Sequence, residues 1–141
     1  MALSYLKPKR MPHVLGTEQE AVRLAERYGA DVTKARVAAL LHDCTKKLDM
    51  AEQLALCERY RIPLDELERK ALKLLHSKTG AAIARDVFAV DDEVYNAILY
   101  HTTGKPDMTL MEKIIYLADY IEPTRDFPGV EKLRRAVHAD L

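Results

Sequence analysis

Cysteine is scarce: Cys44 and Cys57 are the only two in 141 residues, too few for a disulfide framework. No run of about 18 apolar residues occurs, the length a membrane-crossing helix needs. The opening stretch MALSYLKPKRMPH holds no apolar core of a secretory leader. These absences point to a protein of the reducing cytoplasm with no membrane partner. Charge of one sign is missing too, since Lys+Arg and Asp+Glu number 22 each and the formal net charge is zero. That balance lacks the basic surplus of a nucleic-acid binder, while local basic groups remain for a small phosphate-bearing ligand. No repeat, low-complexity tract or Gly/Ser linker interrupts the chain. No segment alternates apolar and polar residues as a strand would, and there is no GxxxxGK[ST] loop of a P-loop NTPase.

What is present is ordinary globular composition, 48% hydrophobic and 31% charged, in a chain that fits one domain over residues 1–141. A domain of this size buries roughly two thirds of its unfolded surface. Helical periodicity dominates. Pro12 suits a first turn, and Val14, Ala21, Val22, Leu24, Ala25 and Tyr28 follow at helical spacing up to Gly29. Asp31 or Thr33 can cap a second helix with Val37, Leu40, Leu41 and Cys44 on one face. A third spans Asp49 to Tyr60, a fourth opens at Pro63 and runs toward His76, and another begins at Ser77. Asp91 or Asp92 caps the next, which leads to His101. After the loop TTGKPDMT, a helix carries Leu110, Ile114, Ile115, Leu117 and Ala118 into Asp119 and ends or kinks at Pro123. A last amphipathic piece covers Val130 to His138, and its apolar face is a candidate for pairing two copies as a homodimer. The expectation is an all-α fold, a single compact bundle of about seven or eight helices.

Of the five histidines, His13, His42, His76 and His101 stand within, or at the end of, apolar helical patterns. Taken singly, each is more often a helix-end residue than a ligand, and a lone His-Asp pair such as His42-Asp43 is weak evidence. Their combination carries more weight. His13 lies in a first turn, His76 follows LKLL with Gly80 one turn on to allow close approach, and His101 follows NAILY. Asp119 ends the apolar run IIYLA, where a lone buried carboxylate is costly unless paired or metal-bound. Nitrogen and oxygen donors without a cysteine cluster suit Fe, Mn, Zn or Co. Cys44 fits packing, and His138 falls outside the pattern.

The order His13, His42-Asp43, His76, His101, Asp119 resembles the HD-domain superfamily of metal phosphohydrolases. HDCTKKL is similar to that family's His-Asp-x-x-Lys segment. From Tyr100, YHTTGKPDMTLMEKIIYLADYIEPTRDFPGVEKLR is similar to its YqeK-type branch, the symmetrical diadenosine-tetraphosphate hydrolases. The resemblance runs from His13 to the end of the chain and implies an HD-domain helical bundle. It also implies further C-terminal helices beyond AVHADL that help to close the nucleotide pocket. It makes His13, His42, Asp43 and Asp119 ligands of one metal, typically iron, with Mn, Co or Mg as substitutes. His76 and His101 would hold a second ion bridged by Asp43, or face phosphate when one ion is bound.

The catalytic set so implied is Asp43, Lys46, His76 and His101. The substrate-binding set is His13, Lys46, His76, His101, Thr102, Thr103, Asp119 and Arg125. Lys46 would neutralise phosphate as a point cation and Arg125 as a bidentate clamp. Thr102 and Thr103 would offer hydroxyl and backbone donors, with Gly104 allowing the turn. Tyr100, Tyr116 and Tyr120 are candidates for stacking a base. The implied reaction is attack of a metal-activated hydroxide on an inner phosphate of diadenosine tetraphosphate, giving two ADP. A different nucleotide substrate, a non-catalytic nucleotide-binding module and a purely structural helical domain stay open at this level.

Overall fold

The computed structural model describes residues 11–46 and 48–140. The segment 1–10, which forms most of the opening stretch considered above, lies outside the described residues, as do Lys47 of HDCTKKL and Leu141. Eight helices and no strand occur among the described residues: α1 Met11–Tyr28, α2 Val32–Leu41, α3 Met50–Arg59, α4 Glu66–Lys70, α5 Leu72–Phe88, α6 Asp92–Leu99, α7 Leu110–Ile121 and α8 Val130–Ala139. None is long and apolar enough to cross a membrane.

The helix starts follow side chains that accept from orphan backbone N–H groups. Asp31 accepts from Lys34 N at α2, Asp91 from Val94 N at α6, and Asp49 and Thr109 form reciprocal capping boxes with Glu52 and Glu112. Thr33, the alternative cap, lies inside α2. Three expected boundaries differ: the fourth helix, expected to run on toward His76, breaks at Ala71, the C-cap of α4 and N-cap of α5. The helix expected to open at Pro63 starts after Asp65, whose capping box with Glu68 sets the later position. The start expected at Ser77 is absent: α5 runs straight through it, and the Ser77 hydroxyl donates back to Leu74 O at 3.1 Å.

α1 packs on α2 and α7, and α6 is wedged between α5 and α7 while also touching α2. α3 and α4 lie on α5, and α8 lies on α7. Small residues line the α1–α2 contact (Ala21 and Ala25 against Ala35, Ala38 and Ala39), so these helices approach closely. Leu24, Ile98, Ile114, Ile115 and Ile121 fill the centre without exposure to solvent. α8 turns Val130 and Val137 into the body, with Leu133 partly buried between them. The apolar stripe expected to pair two copies is therefore spent on the chain's own core.

Candidate metal centre and its cleft

Five elements bring their donors to one place. His13 comes from the first turn of α1, where Thr17 Oγ1 bonds its carbonyl at 2.8 Å. His42 is the C-cap of α2, and Asp43 follows in the turn. His76 lies on the buried side of α5, His101 just past α6, and Asp119 near the end of α7. The turn 42–46 is tied to α5 and α3 by a buried network. Thr45 Oγ1 donates to His76 O at 3.0 Å, Thr79 Oγ1 lies 2.8 Å from Thr45 Oγ1, and Gln53 Nε2 donates to Thr45 O at 2.7 Å. Asp43 is thereby held against His76 by interactions between helices, which no local sequence pattern encodes.

The imidazole Nε2 atoms converge on the carboxylates. His13 Nε2 is 2.7 Å from Asp119 Oδ1 and 3.8 Å from Asp43 Oδ2. His42 Nε2 is 3.4 Å from Asp119 Oδ1 and 3.6 Å from Asp43 Oδ1. From the other side, His76 Nε2 and His101 Nε2 stand 3.7 and 3.9 Å from Asp43 Oδ1. Three sets of potential ligands result, each with donor atoms within 4.8 Å of one another: His13, His42 and Asp43; His42, His101 and Asp119; Asp43, His76 and His101.

The outer nitrogens decide which face of each ring is free. His42 Nδ1 donates to Ala39 O at 2.5 Å and His101 Nδ1 to Ile98 O at 2.6 Å, so in each neutral ring Nε2 is the nitrogen left to bind a metal. His13 Nδ1 meets Glu122 Oε2 at 2.6 Å. His76 Nδ1 is buried without a hydrogen-bond partner. Six buried or half-buried nitrogen and oxygen donors aimed at a common point fit a divalent cation and have little other use in an apolar interior.

Electrostatics in the metal-free protein divide the histidines. Burial opposes charge on His42, but Asp43 and then Asp119 overcome it and raise its pKa to about 9. Burial, joined by repulsion from any charge on the neighbouring His101 and from Lys46, lowers His76 to about 3. Burial and His42 lower His101 to about 4. Burial would raise Asp119, yet hydrogen bonds from His13 and His42 hold it far below the usual carboxylate range. Cys44, beside Asp43, is pushed up to about 12 by burial and by that carboxylate, and its thiol reaches Gly80 O at 3.6 Å. It packs as a neutral group.

A cleft of ≈ 380 Å³ opens over the donors, lined by Asp43, Lys46, His76, His101, Thr102, Tyr116, Asp119, Tyr120, Arg125 and Phe127. His13 and His42 are buried behind Asp43 and Asp119. Arg125 is fixed by its Nε on Asp119 O at 3.1 Å and its Nη2 on Asp119 Oδ1 at 3.4 Å. Gly104, at φ +68°, makes the expected turn. Thr103 is exposed, its hydroxyl bonds Gly104 O at 3.1 Å, and it does not line the cleft. Tyr100 lies beneath the Lys105 ammonium at 4.6 Å and is also outside the lining.

Sequence reasoning passed over three features. Phe127 joins the wall and packs edge-on to Tyr120 at 5.2 Å. Glu122, fully buried, faces His13. Gly16, rather than Gly80, is the glycine with no room for a methyl: a Cβ there would lie 2.7 Å from Glu122 Oε1, whereas one on Gly80 meets only ordinary contacts of 3.5 Å or more. A glutamate directly before Pro123 in an apolar helix end was the available signal for Glu122.

An all-helical bundle with histidine and aspartate donors gathered at its centre defines a class of metal-binding helical domain. Residues 10–124 match the family described as HD domain, and the chain belongs to it. It is 44% identical over 145 residues to a protein of Halalkalibacterium halodurans named bis(5'-nucleosyl)-tetraphosphatase, symmetrical, covering 99% of this chain and 77% of that one. A Bacillus subtilis protein of the same name is 42% identical over 137 residues, covering 96% and 73% of the two chains. Among solved structures, an HD superfamily hydrolase from Clostridium acetobutylicum, described as involved in NAD metabolism, superposes with a TM-score of 0.93 at 45% identity. That match covers 98% of this chain and 74% of the other.

Proposed function

We propose that this protein is a metal-dependent phosphohydrolase that cleaves bis(5'-nucleosyl)-tetraphosphates symmetrically, diadenosine tetraphosphate yielding two ADP. One observation carries the chemistry: His13, His42, Asp43, His76, His101 and Asp119 converge beneath a cleft that also presents Lys46 and Arg125. The names of the two bacterial relatives supply the substrate class.

In this scheme His13, His42, Asp43 and Asp119 hold one divalent ion, with iron favoured over Mn, Co or Mg. His76 and His101 share Asp43 in a second donor set. The short approach of these two rings to Asp43 favours a second ion there over direct contact with phosphate. A bound divalent ion supplies Lewis acidity and a water of lowered pKa. Lys46 and Arg125 stabilise charge on the phosphoryl oxygens, Lys46 as a point charge and Arg125 as a planar fork already oriented by Asp119. Thr102, with its hydroxyl 3.4 Å from His101 Nε2, adds a polar group to the same wall. Symmetrical cleavage requires attack at an inner phosphorus, so a nucleoside diphosphate half must extend to either side of the centre. Tyr116, Tyr120 and Phe127 offer one base an aromatic face.

Incubation of the purified chain with diadenosine tetraphosphate and Fe²⁺, Mn²⁺ or Co²⁺ tests this function. ADP as the sole product, abolished by Asp43→Ala, is expected. ATP plus AMP would overturn the symmetrical cleavage site, and ADP binding without turnover in any metal would overturn the enzyme.

A further inference from the structure

Glu122 is a fully buried charged side chain that the chemistry above does not use. It stands at the C-cap of α7. Its carboxylate takes in only donors: Thr124 N on Oε1, and Thr124 Oγ1 at 2.5 Å and His13 Nδ1 at 2.6 Å on Oε2. Gly16 of α1 lies so close that a Cβ there would stand 2.7 Å from Oε1. The backbone is pinned as firmly, because Arg134 of α8 donates to Ile121 O at 2.8 Å, Glu122 O at 2.9 Å and Arg125 O at 2.8 Å. Glu122 lies on the far side of the His13 ring from Asp119 and belongs to none of the donor sets.

We propose that Glu122 is a positioning residue that holds a proton on His13 Nδ1, leaving Nε2, the nitrogen that meets Asp119, as the one that gives up its proton to a metal, and that Gly16 stays small to admit it. The inference rests on the metal-binding role of His13. A carboxylate can only accept, so a ring nitrogen 2.6 Å away must be the donor. An amide at 122 reverses this. Its oxygen must face Thr124 N, which can only donate, so its NH₂ faces His13. His13 Nδ1 then accepts, the proton moves to Nε2, and the ligating atom is blocked. Gly16→Ala perturbs the same contact differently, by displacing the carboxylate without removing it.

The test is a Co²⁺ titration of the full chain, followed by the d–d absorption of the bound ion. Ring-nitrogen NMR of His13 and melting of the metal-free protein accompany it. Glu122→Gln and Gly16→Ala are each expected to weaken Co²⁺ binding by about 10–100-fold. Glu122→Gln is also expected to shift the His13 proton to Nε2. A role in folding alone would lower the melting temperature and leave the Co²⁺ affinity of the folded protein unchanged, which overturns the proposal. Should Glu122→Gln fail to fold, Gly16→Ala decides by the same affinity criterion. Wild-type protein that takes up no Co²⁺ overturns the metal-binding role and this inference together. Normal wild-type uptake with wild-type affinity in the variants overturns this inference alone.

Discussion

His76 Nε2 and His101 Nε2 stand 3.2 Å apart, reaching the same oxygen of Asp43 from α5 and from the turn after α6. Their outer nitrogens differ: His101 Nδ1 is tied to Ile98 O, while His76 Nδ1 has no partner. His76 is thus the less rigidly preset of the two. Replacing either by alanine is expected to remove one bound ion and leave the other, whereas Asp43→Ala, which strips a donor from both sets, depletes both. Elemental analysis of gel-filtered protein measures this. A full metal complement in His101→Ala would refute the second donor set, and loss of a single ion in Asp43→Ala would refute the shared role of Asp43.

Arg125 and Lys46 line the cleft without belonging to the donor sets. Charge-assisted contacts are worth about 1.5–3 kcal/mol, so Arg125→Ala or Lys46→Ala is expected to lower kcat/KM on the order of 10–100-fold. Bound metal should be retained. Steady-state kinetics beside metal analysis would expose the error if either variant kept wild-type kcat/KM.

Ile115 and Tyr120 share α7 but face opposite ways, one fully buried and the other 51% exposed. Ile115→Ala opens a cavity in the core and is expected to cost about 2–5 kcal/mol. Tyr120→Ala forfeits an edge-on ring contact worth about 1 kcal/mol and is expected to act mainly through a higher KM. Calorimetry and kinetics on the two variants separate fold from cleft, and a large melting shift in Tyr120→Ala would contradict this division.

Asp91 caps α6 and pairs with Lys34 of α2 at 2.9 Å. The hydrogen bond from Val94 N and then Lys34 hold the Asp91 carboxyl below its ordinary 3.8. Its folded value being the lower one, its stabilisation is present above that ordinary value and disappears as pH falls through the folded one. Lys34, raised above 10.5 chiefly by its hydrogen bond to Asp91, behaves conversely: its contribution holds below 10.5 and is lost as pH climbs through the raised value. Asp91→Ala is expected to cost about 0.5–2 kcal/mol at neutral pH, with the gap in melting temperature closing toward pH 2. A pH-independent gap would mean that the charge contributes nothing.

Much of this architecture was legible in the linear chain. Acidic caps marked the starts of α2, α3 and α6 because capping is a contact over three residues. The misplaced boundaries at Pro63 and Ser77 arose where a stronger capping box or a continuous buried face outweighed the local signal. Five of the six donor residues stood out because they ended apolar runs, and His13 because it stood in the first turn of an apolar-periodic helix. Thr103 stood out for its neighbours, yet its side chain turns to its own loop.

From the sequence alone follow the helical class, the absence of a net basic charge and the identity of the nitrogen and oxygen donors. Periodicity, composition and ligand chemistry are local properties. The partition of those donors around Asp43, the opposite displacements of His42 and His76 from the ordinary histidine value, and the engagement of Glu122 with His13 follow only from the fold. Each depends on distances of a few ångströms between helices far apart in the chain, and on burial that strengthens every charge they bring together.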